Sequence, residues 1–245
     1  MIPQFAIRLA FGLALMWCLL PRKLVTSGFF RIQMLLTLGL CVLACLTANQ
    51  LPHNPAEFGG ITGLRLLLGM AAAGAFVGSV FWTLERRMAG TRCAICLLIV
   101  LATGLWATFP RSGHRPQFLL FSEELASGWL LGAAVGAMLL GHWYLTAPMM
   151  SLEPLSRANR LFLLAILVRT AFALVDFTST LPRHEQAIWL TLRWLAGLIG
   201  PLILCILVTR ILRYRNTQSA TGVLFAAVIL IFIGECAGTV MNAVG

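Results

Sequence analysis

Ionisable side chains inside long apolar segments are the residues of this sequence best placed to do chemistry. Each one costs several kcal/mol in lipid unless it faces protein, water or a partner. Four are carboxylates and two are arginines: Glu123, Glu124, Arg169, Asp176, Arg193 and Glu235. A carboxylate that lacks a cationic partner in a low-dielectric medium takes up a proton more easily, which suits proton exchange with a bound carrier. We therefore predict that Glu123, Glu124 and Glu235 are catalytic, and that Arg169, Asp176 and Arg193 bind substrate.

The alternative for these charges is a structural one, in which they form ion pairs between helices. Arg169 and Asp176 are two helical turns apart and so share a face, and Arg193 could pair with Glu235. Buried pairs of this kind are weak evidence of activity. The carboxylates outnumber the arginines, however, and this excess favours a function in proton transfer.

One histidine, His142 in the stretch LLGHWYLTAP, lies at a predicted membrane boundary. It follows Glu124 by five helical turns, about 27 Å of rise, so the two share an azimuth at opposite ends of one helix. His142 is either an interfacial anchor beside aromatic residues or a group that handles protons. The other histidines, His53, His114 and His184, fall in predicted loops on the outer side. We therefore predict no intrinsic haem, because a bis-histidine site needs two histidines at facing depths.

Glycines mark two further features of the apolar segments. Gly128, Gly132 and Gly136 recur at every fourth residue, so another helix or a flat cofactor can approach this face closely. Gly128 and Gly132 are therefore candidate substrate-binding positions. Gly197, Gly200 and Pro201 predict a bend in the seventh segment, because proline removes a backbone hydrogen bond.

The seven cysteines offer a weaker signal. Cys93 and Cys96 form a C-x-x-C motif, and Cys18 and Cys205 are predicted near the same membrane face. A thiol relay is one interpretation, but the thioredoxin-like pattern that would support it is absent. Cysteine is also an ordinary small apolar residue of buried helices. No cysteine and histidine spacing typical of a zinc site occurs, so we predict no metal.

The elements that must position these residues are membrane-spanning helices. Hydrophobic residues make up 60% of the 245-residue chain and charged residues 11%, which indicates a membrane protein. Runs near the roughly 20 residues needed to span a bilayer occur eight times. We place them at 3–20, 29–49, 64–84, 92–109, 118–145, 158–179, 187–210 and 220–243. Uninterrupted apolar runs favour a helix bundle over a barrel. The predicted fold is an all-α, polytopic transmembrane bundle that forms a single domain over 1–245.

The distribution of basic residues predicts the orientation of this bundle. The net charge is +10, and eleven of the eighteen basic residues lie in or beside alternate loops. This positive-inside bias places both termini on the non-cytoplasmic side, and it indicates topology rather than nucleic-acid binding. The first segment lacks a basic n-region and a cleavage site, so we expect a retained span. The predicted location is the cell inner membrane.

Two stretches resemble a known family. FSEELASGWLLGAAVG, residues 121–136, and LIFIGECAG, residues 230–238, are similar to segments of the haem-free membrane anchors of the polysulfide-reductase and DMSO-reductase type. The resemblance implies a quinone as cofactor, with Glu123, Glu124 and Glu235 near it. It also implies iron–sulfur subunits as partners outside the spans.

Three functional classes follow from these observations. The first is a quinone-facing, haem-free subunit of an electron-transfer complex, in which carboxylates handle protons. The second is a transporter of small solutes or ions, which intramembrane charges and a broken helix favour. The third is a non-catalytic assembly subunit beside cofactor-bearing chains. Short loops favour the first and third classes, and the expected partners are other membrane or redox subunits and lipid.

Overall fold

A computed structural model describes residues 1–51, 59–109, 116–147, 150–179 and 187–244 of the chain, and for 176–179 and 242–244 it describes the backbone alone. Across these ranges the regular structure is helical and no strand occurs, so the predicted all-α class is confirmed. The helices are α1 (Ile2–Leu19), α2 (Ser27–Thr47), α3 (Gly60–Thr83), α4 (Arg87–Thr108), α5 (Gln117–Thr146), α6 (Glu153–Ser179), α7 (Ala187–Trp194), α8 (Gly200–Arg213) and α9 (Thr217–Val244). A 3-10 turn, Ala48–Gln50, extends α2.

Eight helical segments of the described chain are long and apolar enough to cross a membrane, as the sequence predicts. The seventh of these segments, Ala187–Arg213, comprises α7, α8 and the turn between them. Most helix ends lie within four residues of the predicted boundaries, but α4 and α6 each begin five residues earlier. The early turns of these two helices carry polar residues such as Arg87 and Glu153. Hydropathy marks the lipid core, whereas backbone hydrogen bonding continues into the headgroup region.

The chain divides into two compact units, Met1–Gly132 and Ala133–Gly245, with the division inside α5. Unit 1 contains α1 to α4 and the first part of α5. Its core includes an aromatic stack between Phe30 of α2 and Trp82 of α3, whose ring centroids are 4.5 Å apart. Gly90 of α4 lies so close to the Trp82 indole that a Cβ there would displace the ring. These contacts pack α2, α3 and α4 together.

Unit 2 contains the remainder of α5 and α6 to α9. Tyr144, buried near the end of α5, donates a hydrogen bond to the carbonyl oxygen of Ser151 and so fixes the turn into α6. Between α7 and α8 the backbone forms a π-helical turn over Leu195–Ile199. This turn ends two residues before Pro201, in the part of the seventh segment where the sequence predicts a bend, and the α-helical hydrogen bonding is interrupted there.

Candidate functional site

An arginine–glutamate pair lies between α1 and α5 in unit 1. The guanidinium of Arg8 donates from both Nε and Nη2 to the two carboxylate oxygens of Glu124; Glu124 is buried and Arg8 half-buried. Gln4, one turn before Arg8, donates from Nε2 to Glu124 Oε1 at 3.3 Å. Bidentate geometry makes this a strong form of charge-assisted bond. The Glu124 carboxylate is therefore paired in charge and hydrogen-bonded at both oxygens.

The same two helices are also in contact at glycines, one to two turns C-terminal to the pair. A Cβ on Gly12 would overlap the Gly128 carbonyl oxygen, and a Cβ on Gly132 would overlap the backbone of Gly12. Gln4, Arg8 and Gly12 on α1 thus run alongside Glu124, Gly128 and Gly132 on α5, each set at four-residue spacing. The glycine face that the sequence assigned to a helix or a flat cofactor is occupied by α1 at Gly128 and Gly132.

A second arginine–glutamate pair joins α6 to α9 in unit 2. Arg169 Nε lies 2.8 Å from Glu235 Oε1, and Nη2 donates to Oε2 at 3.5 Å. Arg169 is ten residues before the end of α6 and Glu235 nine residues before the end of α9. At 1.5 Å per residue both lie about 14 Å from the C-terminal ends of their helices.

Arg193 of α7 is buried beside this second pair. It lines a narrow crevice with Arg169, Glu235, Ala173, Gly197, Leu198 and Gly234. Gly197 and Gly234 meet backbone to backbone, so that a Cβ on Gly234 would overlap Gly197. One turn further along α9 from Gly234, Gly238 lies against the Arg193 side chain. The crevice is a slit that has no room for a water-sized sphere.

The remaining predicted site residues lie at different places. Glu123 is half-buried beside Glu124 on α5, whereas His142 is exposed in the last turns of the same helix. The azimuth shared by Glu124 and His142 therefore does not give them similar surroundings. Asp176 falls in α6, but its side chain lies outside the described residues, as do His53, His114 and His184.

The cysteines carry free thiols. In the C-x-x-C motif, Cys96 is exposed and Cys93 half-buried. Cys205 is fully buried and its Sγ donates to Asn159 Oδ1 at 3.4 Å. Within the described ranges, no three histidine, cysteine, aspartate or glutamate side chains group as metal ligands would.

Sequence reasoning missed Arg8 and Gln4. The signal that could have found them is the four-residue spacing of Gln4, Arg8 and Gly12, which matches the spacing of Glu124, Gly128 and Gly132. Two helices that cross closely at glycines place residues one turn away in register. A polar pair facing Glu124 is the expected result of this match.

Comparison with known proteins gives no relative: no family model, no curated protein and no solved structure matches the chain.

Proposed function

We propose that the chain is a haem-free integral-membrane subunit of an electron-transfer complex and that the crevice of unit 2 is its quinone site. The observation that carries the proposal is the Arg169–Glu235 pair with Arg193 beside it, within three candidate membrane spans. Ionisable groups inside such spans mark functional sites in membrane proteins. A π-helical turn, which often accompanies function, forms part of the same crevice.

The side chains of the crevice suit the chemistry of a quinol. Oxidation of a quinol to a quinone releases two electrons and two protons. In the proposal, Arg169 and Arg193 donate hydrogen bonds to the quinone oxygens, and Glu235 accepts the two protons one after the other and passes each to water outside the membrane. The electrons pass to a metal centre held by a partner chain. Because the slit is narrow, α9 and the π-helical turn must separate at Gly234 and Gly197 for the ring to enter.

Glu124 has a structural role in this proposal. Its carboxylate is held by Arg8 and Gln4, and α1 covers the adjoining glycine face. We place the proton chemistry on Glu235 because a second arginine, Arg193, and the π-helical turn adjoin that carboxylate. The Arg8–Glu124 pair fixes α1 against α5.

The test compares E235Q with E124Q in the complex purified with its native partners. Glutamine keeps the size and hydrogen bonding of glutamate but removes the titratable proton. We expect E235Q to lower quinol turnover per assembled complex by roughly ten- to ten-thousand-fold, the usual effect of a lost acid or base. E124Q should lower the yield of assembled complex and leave turnover per complex unchanged. Unchanged turnover in E235Q would eliminate the quinone site.

A second candidate function is the transport of a small anion. The observation that favours it is the charge of the crevice, where two arginines and one glutamate line the described wall. The purified chain, reconstituted alone in liposomes, should then take up anions without a partner. Copurification with cytochromes or iron–sulfur proteins, with no anion uptake by the isolated chain, would favour the electron-transfer complex over the transporter.

A third candidate is a non-catalytic assembly subunit. It is favoured by the ion pairs themselves, since Glu124 and Glu235 both join two helices. On this account E235Q would behave like E124Q, with reduced assembly and unchanged turnover.

A further inference from the structure

A hydrogen-bonded contact joins the first part of α6 to the last part of α8. Asn159 is buried and donates from Nδ2 to the Cys205 carbonyl oxygen at 3.1 Å and to Thr209 Oγ1 at 2.9 Å. Since the start of one helix meets the end of the other, α6 and α8 run antiparallel here. The contact fixes which side chains of the two helices are neighbours.

Three arginines lie on one side of this contact. Arg160 follows Asn159 and Arg210 follows Thr209. Moving one residue along an α-helix turns the side-chain direction by about 100° around the helix axis. Because the two helices are antiparallel, the step from Asn159 to Arg160 and the step from Thr209 to Arg210 turn toward the same side of the contact. Arg213 lies on that side too, almost one turn nearer the end of α8. We refer to Arg160, Arg210 and Arg213 as the seam arginines.

The seam arginines are exposed, and none makes a hydrogen bond or ion pair with another residue in the part of the chain that the structure describes. Glu153 is the carboxylate nearest to them along the described chain, and its four-residue spacing suits it to pair with Arg157 of its own helix. Arg157 and Arg215 are exposed as well, and they add to the positive charge of this end. The potential here is strongly positive.

Exposed apolar side chains continue from the seam arginines toward the membrane interior. Leu167 of α6 and Ile203 and Ile206 of α8 are 52%, 59% and 47% exposed, and the same helical register places them on the side of the seam arginines. A positive cluster directly above an apolar strip matches an amphiphile that has an anionic head and hydrocarbon chains.

We propose that the seam arginines bind the phosphate of an anionic phospholipid whose acyl chains lie along Leu167, Ile203 and Ile206. Arginine presents paired N–H donors that fit phosphate oxygens, and basic pockets between transmembrane helices bind such headgroups. The apolar strip favours a lipid over free phosphate, because acyl chains can pack against it and a soluble anion cannot. The site is independent of the quinone proposal, since no residue is shared between them.

The test measures lipid binding by native mass spectrometry of the purified chain. The probes are cardiolipin, phosphatidylglycerol and, as the zwitterionic control, phosphatidylcholine. Each basic residue near a membrane surface contributes about fivefold to anionic-lipid binding. The triple variant R160Q/R210Q/R213Q should therefore lose anionic-lipid affinity by roughly 100-fold, with phosphatidylcholine binding unchanged. The matched control R157Q/R215Q, which removes two exposed arginines outside the seam, should lose far less.

Three results would overturn the proposal. The first is an equal loss per arginine removed in the seam variant and in the matched control, which would indicate a diffuse charge effect. The second is full displacement of the lipid by millimolar inorganic phosphate, which would assign the cluster to a soluble anion. The third needs no variant and so does not depend on the folding of the triple substitution: the unmodified chain would bind phosphatidylcholine as tightly as cardiolipin.

Discussion

Glu124 and Glu235 show how single residues are accommodated inside a membrane. Each carboxylate is buried and faces an arginine of a different helix. Removing two charges from water costs more free energy than an exposed ion pair gains. A buried pair therefore persists only with good geometry and further hydrogen bonds. The two pairs differ in their surroundings: glycine backbones adjoin Arg8–Glu124 closely, whereas a second arginine and a π-helical turn adjoin Arg169–Glu235.

The Arg8–Glu124 pair gives a prediction about stability. E124Q leaves the Arg8 guanidinium without its anion, which should lower the free energy of unfolding by about 3 to 5 kcal/mol. R8Q should be destabilising for the same reason, with Glu124 left unpaired. The double variant R8Q/E124Q replaces the ion pair by two amides that can bond to each other, and it should recover much of the loss. A double-mutant cycle on unfolding in mixed micelles measures the coupling, and a coupling energy near zero would contradict the pairing.

Residue types alone could predict that the charges within the spans need partners, but not which partners they have. The carboxylate and arginine positions are readable because charges stand out in apolar runs. The pairing of Glu124 with Arg8 depends on which helices are neighbours, and α1 and α5 are separated by three other spans. The pairing of Glu235 with Arg169 likewise depends on how α6 and α9 face each other.

At the scale of elements, hydropathy locates the helices well because each span must be continuous and apolar. It predicts the eight segments. It does not predict helix neighbours, since every span presents similar apolar side chains to lipid and to protein. Small residues carry that information, as the contacts of Gly12 with Gly132 and of Gly197 with Gly234 show.

The contact between α1 and α5 gives a prediction for glycine. G132L places a side chain where the backbone of Gly12 lies, so α1 must move away from α5. We expect a loss of at least about 3 kcal/mol in the free energy of unfolding, at the upper end of the cost of overpacking. The matched control is G69L on α3, where a Cβ meets nothing within 4 Å. Equal effects of the two substitutions would contradict the close contact.

At the scale of the whole molecule, mass and charge are distributed in a way that limits what the chain does alone. The eight spans comprise most of the chain, and the connections between them are short. A subunit with this distribution has little extramembrane surface on which to hold a metal centre or a soluble substrate. This supports the proposal that cofactors and electron acceptors belong to partner chains. The division into two units within α5 was not predictable from hydropathy, because α5 is one uninterrupted apolar run.

The orientation of the molecule gives the last prediction. Eight crossings would put both termini on one side, and the loops between the first and second, third and fourth, fifth and sixth, and seventh and eighth spans on the other. Those four loops and the adjoining helix ends carry eleven of the eighteen basic residues, and basic loops stay in the cytoplasm because their translocation is opposed. A reporter fused after Arg87 or after Arg215 should therefore read cytoplasmic, and one inserted in segment 49–63 should read external. Opposite signals from all three fusions would invert the molecule and place the seam arginines in the outer leaflet, whereas mixed signals would contradict the number of spans itself.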